Sequence, residues 1–179
     1  MNQTIQWLLE GDVSLHYLTH RYLLGSSEDV LLQLQGRIES EGFGSEILAK
    51  RNENGHWGLW YYQPKWTSTH YTLMDLKLLG VRSSQPSCRE MVIRALHQCQ
   101  LSSGGLNFAK SSLPSDIAVD GMFLNYASYF CPEETIRLSS VVSHVLIHQK
   151  PDGGFNWDYA STVGDPHTTL CVLEGLHAF

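Results

Sequence analysis

The stretch Asp152-Gly153-Gly154-Phe155-Asn156-Trp157 is the third of three short loops that combine glycines with an aromatic residue. The two earlier loops are Gly55-His56-Trp57-Gly58 and Gly104-Gly105-Leu106-Asn107-Phe108. Aligned on Gly55, Gly105 and Gly154, the loops stand 50 and 49 residues apart, and each is followed by a segment with helical apolar spacing. Recurrence of a loop and a helix at such a period predicts a repeat protein.

The segments behind the loops share a second pattern. His70-Tyr71-Thr72-Leu73 matches His167-Thr168-Thr169-Leu170, and the middle copy supplies Asp120, Phe123, Tyr126 and Tyr129 at corresponding places. We predict helices over 68–80, 116–130 and 166–178, which are apolar on more than one side and therefore belong to an inner layer. Segments 28–41 and 133–149 carry more surface-type residues and are predicted to form outer helices.

Apolar residues recur at intervals of three and four along most of the chain, so the predicted fold class is all-α. Helix starts are indicated by residues that can cap the first turn, and Ser87 with Glu90 forms a capping box. The capping candidates are Asp12, Ser68, Ser87, Asp116 and Asp165, with Pro132 and Pro166 suited to a first helical turn. Gly42 to Gly44 is predicted to break the helix that begins after Ser27.

Length and charge limit the function classes. The 179 residues form one predicted domain, 1–179, and a net charge of -6 with 17% charged residues offers no basic field for nucleic acid or anionic lipid. The chain shows no leader and no apolar run of about 18 residues, so we expect no transmembrane segment. The four cysteines fall in predicted helices, which favours reduced thiols and a cytoplasmic location.

The nonapeptide Gln149-Lys150-Pro151-Asp152-Gly153-Gly154-Phe155-Asn156-Trp157 resembles the repeat signature of squalene cyclases and protein prenyltransferase β-subunits. In these families a glutamine, an Asp-Gly-Gly turn and an aromatic residue fasten an outer helix to an inner one. The resemblance covers most of the chain, and segments 7–12 and 64–73 look most like uncharacterised bacterial members of the superfamily. It implies αα-hairpin repeats arranged as a partial α/α toroid.

Two stretches resemble the prenyltransferase metal site. Val119-Asp120-Gly121-Met122-Phe123 stands where the family has an aspartate and a cysteine two residues apart, although Met122 occupies the cysteine position here. His167 opens an inner helix as in the family, and alignment of the inner helices places His70 at the same level. The candidate zinc ligands are therefore Asp120, His167 and His70. The alternative is that no cofactor binds, each aspartate complementing its helix dipole and each histidine being hydrogen-bonded inside.

Asp120 is also the candidate catalytic residue, as a metal ligand in a transferase or as the acid of a cyclase. The Asp-x-Asp-Asp cluster with which cyclases protonate their substrates is not found, and Asp116 with Asp120 offers two carboxylates one turn apart. No Asp-Asp-rich diphosphate motif is found either. Candidate ligand-binding residues are the ring-bearing residues of the inner helices, namely Tyr71, Phe123, Tyr126 and Tyr129.

The predicted inner helices carry little positive charge, which favours a neutral apolar ligand over a prenyl diphosphate. The leading hypothesis is a repeat protein that binds an apolar, isoprenoid-like small molecule. The alternatives are a metal-assisted prenyl transferase or terpene cyclase, and a non-catalytic protein-interaction module. Because about three and a half hairpins do not close a toroid, we expect a missing C-terminal part or a homodimer to cover segment 166–178, through Leu170, Leu173, Leu176 and Phe179.

Overall fold

The computed structural model describes residues 2–179, which fold into α-helices without strands. The all-α prediction is therefore confirmed. Residues His20–Leu24 form a π-helical turn that continues the helix Val13–Thr19. The helices are α1 (Gln3–Leu9), α2 (Val13–Thr19), α3 (Glu28–Ile38), α4 (Gly42–Ala49), α5 (Thr69–Leu78), α6 (Pro86–Gln98), α7 (Ile117–Phe130), α8 (Thr135–Ile147) and α9 (Pro166–Ala178).

Three of the predicted aspartate caps are confirmed. The carboxylate of Asp12 accepts the Ser14 N–H at 2.8 Å, that of Asp116 accepts the Ala118 N–H at 2.9 Å, and that of Asp165 accepts the Thr168 N–H at 2.7 Å. Each cap satisfies a backbone donor that has no partner within the first helical turn. These residues therefore set the starts of α2, α7 and α9.

Two helix starts differ from the sequence prediction. The capping box of Ser87 and Glu90 does not form, because the Gln85 side chain accepts the Ser87 N–H at 2.8 Å and Glu90 is bound by Arg51 at 2.8 Å. Helix α6 accordingly begins at Pro86, in the first-turn position that proline favours. Helix α8 begins at Thr135, three residues after Pro132.

Gly42 also behaves differently from the prediction. Helix α3 has already ended at Ile38, and Gly42, with a φ of +71°, is the first residue of α4. The second carboxylate oxygen of Asp12 accepts the Phe43 N–H at 2.9 Å and so satisfies the start of α4. One aspartate thus supports the first turns of two helices, a long-range contact that local spacing does not reveal.

The three glycine loops have the same backbone hydrogen bonds. In each, one N–H donates to the carbonyl four residues ahead, from Asn52 to His56 (2.9 Å), Leu101 to Gly105 (2.8 Å) and Lys150 to Gly154 (2.8 Å). The residue three positions after this first donor is a glycine, and its N–H donates to the carbonyl of the first donor. These glycines have a left-handed φ; they are Gly55 (+89°), Gly104 (+101°) and Gly153 (+86°).

The turns are therefore spaced by 49 and 49 residues, and the sequence alignment on Gly105 and Gly154 was out of register by one. The left-handed backbone falls on the first glycine of each Gly-Gly pair, Gly104 and Gly153. The capping residues of α7 and α9, Asp116 and Asp165, are also 49 residues apart. Asp120 then corresponds to Thr169, whereas the sequence alignment placed it opposite His167.

Helix α7 lies at the centre of the core, with 12 of its 14 residues buried. It packs closely against α9, where a Cβ added to Gly175 would lie 2.4 Å from the Gly121 carbonyl oxygen. The absence of side chains at Gly121 and Gly175 therefore lets the two helix backbones come nearly into contact. The first turn of α7 lies next to the second glycine turn, where Asp120 accepts the Leu106 N–H.

The cysteines Cys88, Cys99, Cys131 and Cys171 are free and buried. Burial raises the pKa of the first three to about 12 and that of Cys171 to about 11, so the thiols stay protonated. None of the helices in residues 2–179 has the length and apolar character that crossing a bilayer requires.

Candidate functional site

Asp120 lies in the first turns of α7 with its side chain fully buried. One carboxylate oxygen, Oδ1, accepts the Leu106 N–H at 2.7 Å and so fastens the helix to the second glycine turn. The other oxygen, Oδ2, is buried and has no hydrogen-bond partner among residues 2–179. A buried polar atom of this kind is costly unless something neutralises or pairs it.

The other two turns are fastened by hydroxyl groups. The Trp57 N–H donates to Thr69 Oγ1 at 3.1 Å, and the Phe155 N–H donates to Thr169 Oγ1 at 2.9 Å. A threonine is therefore sufficient for the structural contact that Asp120 makes. The second carboxylate oxygen of Asp120 is not needed for this contact, which makes it the candidate reactive group of the site.

His144, from α8, is the nearest ionisable neighbour of that oxygen. Its Nε2 lies 3.7 Å from Asp120 Oδ2 and 2.8 Å from the Ser115 hydroxyl oxygen. Its Nδ1 lies 3.1 Å from the Ser103 carbonyl oxygen, which can only accept, so Nδ1 carries a proton. In the neutral ring, Nε2 is then an acceptor for the Ser115 hydroxyl.

Burial controls the protonation of this pair. It raises the pKa of Asp120 to about 7, outweighing the hydrogen bond from the Leu106 N–H, which favours the charged form. Burial, with His148 close by, lowers the pKa of His144. Asp120 Oδ2, which has no hydrogen-bond partner among residues 2–179, thus faces a second acceptor atom, His144 Nε2, and a proton on either atom relieves their repulsion. The pair can store and release a proton near neutral pH, as a general acid or base must.

His70, the predicted metal ligand on α5, lies in a separate aromatic cluster. Its side chain is fully buried, its Nδ1 is 3.1 Å from the Tyr126 hydroxyl, and its Nε2 has no hydrogen-bond partner among residues 2–179. Burial lowers the pKa of His70 to about 3, so the ring is neutral. Phe123 packs edge-on against Tyr126, and both rings are fully buried. Two of the four predicted ligand-binding residues are therefore part of the core.

Tyr71 lies at the surface side of this cluster. Its hydroxyl oxygen is 3.0 Å from that of Tyr62, and its ring centroid is 4.9 Å from that of Trp66. Trp66 is 68% exposed and has a φ of +76°, a left-handed backbone that is rare for a bulky residue. Lys65 places its ammonium 4.9 Å from the Trp66 ring. These aromatic residues, Tyr62, Trp66 and Tyr71, are called the aromatic patch below.

The remaining predicted site residues have other surroundings. His167 is exposed on α9, and its ring nitrogens lie 3.8 and 3.9 Å from Cys171 Sγ. Tyr129 is half-buried and donates its hydroxyl to the Val81 carbonyl at 2.8 Å. His70, Asp120 and His167 have different polar partners, and residues 2–179 contain no group of three or more His, Cys, Asp or Glu side chains that could hold a metal ion. Zinc binding stays a prediction.

Sequence reasoning missed His144 and Ser115 as site residues. His144 interrupts the buried stripe of Leu138, Val141 and Val145 on α8, and a histidine on an apolar helix face was the available signal. Ser115 directly precedes the cap of α7 and reads as part of a turn. The contact between Asp120 and His144 joins residues 24 apart on different helices, which no local pattern specifies.

Fold and site together define an all-α protein with a buried aspartate-histidine pair and an exposed aromatic patch. Comparisons with protein-family models, curated proteins and solved structures found no match to this chain.

Proposed function

We propose that the protein is a repeat protein of the squalene-cyclase and prenyltransferase type, built as an α/α toroid, that binds an apolar, isoprenoid-like small molecule at the aromatic patch. The observation that carries the proposal is Trp66, which is 68% exposed and held in a left-handed conformation against Tyr71. Backbone conformations of this kind cost roughly 1–3 kcal/mol and concentrate at ligand-binding segments. The repeat sequence pattern supports the fold part of the proposal.

The patch suits an apolar ligand because its ring surfaces are open to solvent on one side. Covering such surface gains about 25 cal/mol for each Å² removed from water. A flexible isoprenoid chain can lie across several rings, and its double bonds can contact the ring faces. The patch therefore provides area and shape for recognition, with few polar groups to impose an orientation.

Charge favours an uncharged ligand over a diphosphate. Lys65 is the cation that the structure places against the patch, and the net charge of the chain is -6. Burial and the hydrogen bond with Tyr62 raise the pKa of the Tyr71 hydroxyl, and the nearby carboxylate of Asp116 adds to the rise. A diphosphate is normally held by several converging cations, so we expect the free alcohol to bind more tightly than its diphosphate.

The test is a calorimetric titration of the full chain with farnesol and, separately, with farnesyl diphosphate. We expect farnesol to bind with a Kd in the micromolar range and Trp66→Ala to weaken binding by about tenfold, equivalent to about 1.4 kcal/mol. Trp157→Ala is the matched control, since Trp157 is also an exposed ring, at 60%, outside the patch. Equal losses in the two variants, or tighter binding of the diphosphate, would contradict the proposal.

A second candidate function is acid catalysis by Asp120, as in a terpene cyclase. It is favoured by the unpartnered Oδ2 and by the pKa raised to about 7, which together keep a proton available. His144 would hold the carboxyl group in position and take back a proton. The test is mass-spectrometric detection of cyclised products from squalene, with Asp120→Asn inactive and Asp116→Asn, on the neighbouring cap, active. Products formed equally by Asp120→Asn would exclude this role.

The proposal includes a cytoplasmic location. It is supported by the four cysteines, which are all free and buried.

A further inference from the structure

Helix α9 and the third glycine turn form a surface that is covered at the equivalent places in the chain. Leu170 and Leu173 are 56% and 54% exposed on α9. They border a hollow of about 490 Å³ that also includes Gly153, Gly154 and Thr169. This surface, consisting of Gly153, Gly154, Thr169, Leu170 and Leu173, is called the α9 seat.

The first two turns each lie under the second helix that follows them in the chain, α6 for the first turn and α8 for the second. A Cβ added to Gly55 would lie 2.5 Å from Arg94 Nη1 of α6, and one added to Gly104 would lie 2.4 Å from the Ser140 carbonyl oxygen of α8. A Cβ added to Gly153 meets no atom of residues 2–179 within 4 Å. The third turn therefore has the same backbone as the others and an open space where a helix would lie.

Helices α6 and α8 occupy the same place relative to their turns. Their bounds, Pro86–Gln98 and Thr135–Ile147, differ by 49 residues at both ends, as Gly55 and Gly104 do. The open space above Gly153 is thus the third seat of a regular series. Its expected occupant is a helix of the same length and packing.

The residue directly before each turn also indicates where a helix should lie, because its side chain can bind both the turn and a helix above it. Arg51 donates to the Gly55 carbonyl at 2.7 Å and binds Glu90 of α6. Gln100 donates to the Gly104 carbonyl at 3.1 Å and to the Arg137 carbonyl of α8 at 3.0 Å. Gln149 donates to the Gly153 carbonyl at 2.8 Å, and residues 2–179 offer it no helix for a second bond. Its amide is positioned to donate to a further helix.

The exposed leucines support the same conclusion. At the 49-residue spacing, Leu173 corresponds to Leu124 of α7, which is fully buried, and Phe179, 49% exposed, corresponds to Phe130, also fully buried. Helix α7 is packed against α5, α6, α8 and α9. The α9 residues have the same apolar character and lack that cover among residues 2–179.

We propose that the α9 seat binds an amphipathic α-helix of a partner polypeptide, placed on the third turn as α6 and α8 lie on the first two. The helix has about four turns, since α6 and α8 each have 13 residues. It presents apolar residues at the spacing of Leu138, Val141 and Val145 toward Leu170 and Leu173. A backbone carbonyl in its first turn accepts from Gln149, and its backbone passes close over Gly153. The proposal is independent of ligand binding at the aromatic patch.

The probe is a synthetic peptide with the sequence of residues 132–149, which contains α8, titrated into the full chain by calorimetry. We expect binding with a Kd of about 10–100 μM and a loss of about tenfold or more in Leu173→Asp. Leu78→Asp is the matched control, because Leu78 is 71% exposed on α5, outside the seat. A peptide in which serines replace Leu138, Val141 and Val145 should not bind.

Gly153→Ala provides the sharper test. The added Cβ meets no atom of residues 2–179 within 4 Å but would lie under the docked helix, as at Gly104. Peptide affinity should therefore fall by about tenfold while the variant remains folded, as monitored by its Tm and circular dichroism.

Three results would overturn the proposal. They are no binding up to about 1 mM peptide, equal binding of the serine-substituted peptide, and unchanged affinity in both Leu173→Asp and Gly153→Ala. A fourth is self-association of the chain in sedimentation that Leu173→Asp abolishes, which would make a second copy the occupant.

Discussion

Asp120 shows how one atom can separate a structural role from a chemical one. Threonine hydroxyls fasten the equivalent turns at Thr69 and Thr169, and Asp120 Oδ1 does the same for Leu106. The added oxygen, Oδ2, is fully buried beside His144. Burial of a carboxylate oxygen without a hydrogen bond reduces stability, so an aspartate here, where a threonine hydroxyl would fasten the turn, is consistent with a use for the proton that it holds.

The raised pKa of Asp120 predicts a pH dependence of stability. Between about pH 4, the ordinary carboxyl pKa, and about pH 7, the folded state binds more protons than the unfolded state. The free energy of unfolding should therefore fall as pH rises through this range, by at most about 4 kcal/mol from this group, and level off above it. Urea denaturation of Asp120→Thr, which keeps a hydroxyl for the Leu106 N–H, should lack this fall.

Wild type must be compared with Asp120→Thr because buried histidines make the free energy of unfolding rise with pH, whereas Asp120 makes it fall. Burial lowers the pKa of His56 to about 4, so below about pH 6.5 the unfolded state takes up a proton before the folded state does, and the free energy of unfolding falls as pH falls. Subtracting the two urea series removes this common contribution. A difference that does not change between pH 4 and 7 would show that Asp120 is charged throughout.

His70 should contribute to unfolding in acid. Its pKa is lowered to about 3 because the ring is fully buried, so the unfolded state takes up a proton first as pH falls below about 6.5. We predict that His70→Phe combined with Tyr126→Phe, which removes both hydrogen-bond partners together, is less destabilised between pH 6.5 and 4 than wild type. Circular dichroism during acid titration measures this. An unchanged acid midpoint would contradict the prediction.

The candidate site was only partly predictable from the sequence. Asp120 and Tyr71 could be proposed because both lie near the starts of predicted inner helices, Asp120 in a stretch that resembles a metal site and Tyr71 as an aromatic ring. The partners of Asp120 could not, since His144 and Ser115 reach it through the packing of α8 on the second turn. Phe123 and Tyr126 share the apolar pattern of cavity-lining residues and core residues alike, and that pattern alone does not distinguish the two.

At the scale of elements, the contact between α7 and α9 depends on two glycines. A Cβ on Gly121 would lie 2.6 Å from the Cys171 carbonyl oxygen, and one on Gly175 would lie 2.4 Å from the Gly121 carbonyl oxygen. Backbone atoms cannot move aside as side chains do. Gly121→Ala and Gly175→Ala should therefore each lower the free energy of unfolding by about 1–3 kcal/mol or more, measured by urea denaturation.

Gly36 on α3 is the control for helix propensity. A Cβ there meets nothing within 4 Å in residues 2–179, and alanine is the better helix former by about 1 kcal/mol. Gly36→Ala should accordingly stabilise the protein by about 0.5–1 kcal/mol. If Gly121→Ala were equally stabilising, the close approach of α7 and α9 would not exist in solution.

The turns allow a second comparison between equivalent residues. Gly104 and Gly153 both have a left-handed φ, which costs alanine about 1–2 kcal/mol. Only at Gly104 would the Cβ also meet backbone, 2.4 Å from the Ser140 carbonyl oxygen. We predict that Gly104→Ala lowers Tm much more than Gly153→Ala, as measured by calorimetry. Equal losses would mean that α8 does not press on the second turn.

Helix boundaries were predictable where one residue decides them. Asp116 and Asp165 cap their helices locally, and the prediction at both is confirmed. The prediction was wrong at Ser87, because Gln85 competes for the same backbone donor, and incomplete at Gly42, because the carboxylate of Asp12 from another helix supports the start of α4. Capping by a distant side chain depends on tertiary packing and leaves no spacing signal.

For the whole molecule, burial decreases from the centre of the chain's fold toward its ends. Helix α7 has 12 of 14 residues buried, whereas no residue of α1 is buried. At the opposite end, α9 is buried on the side facing α7 and exposes Leu170 and Leu173 on another. Regions with few buried contacts open at low free-energy cost, while central ones open only with the whole domain.

The protection of backbone amides from hydrogen exchange should therefore differ between helices. Amides of α7 should exchange only through global unfolding, with an opening free energy equal to that from urea denaturation, and those of α1 should exchange through local opening at far smaller cost. Amides of α9 should fall between the two, and binding of the residue 132–149 peptide should raise their protection toward that of α7. Leu173→Asp should remove this increase and leave α7 unchanged. Equal protection of α1, α7 and α9 without peptide would show instead that the helices unfold as one cooperative unit, with the exposed face of α9 already as stable as the core.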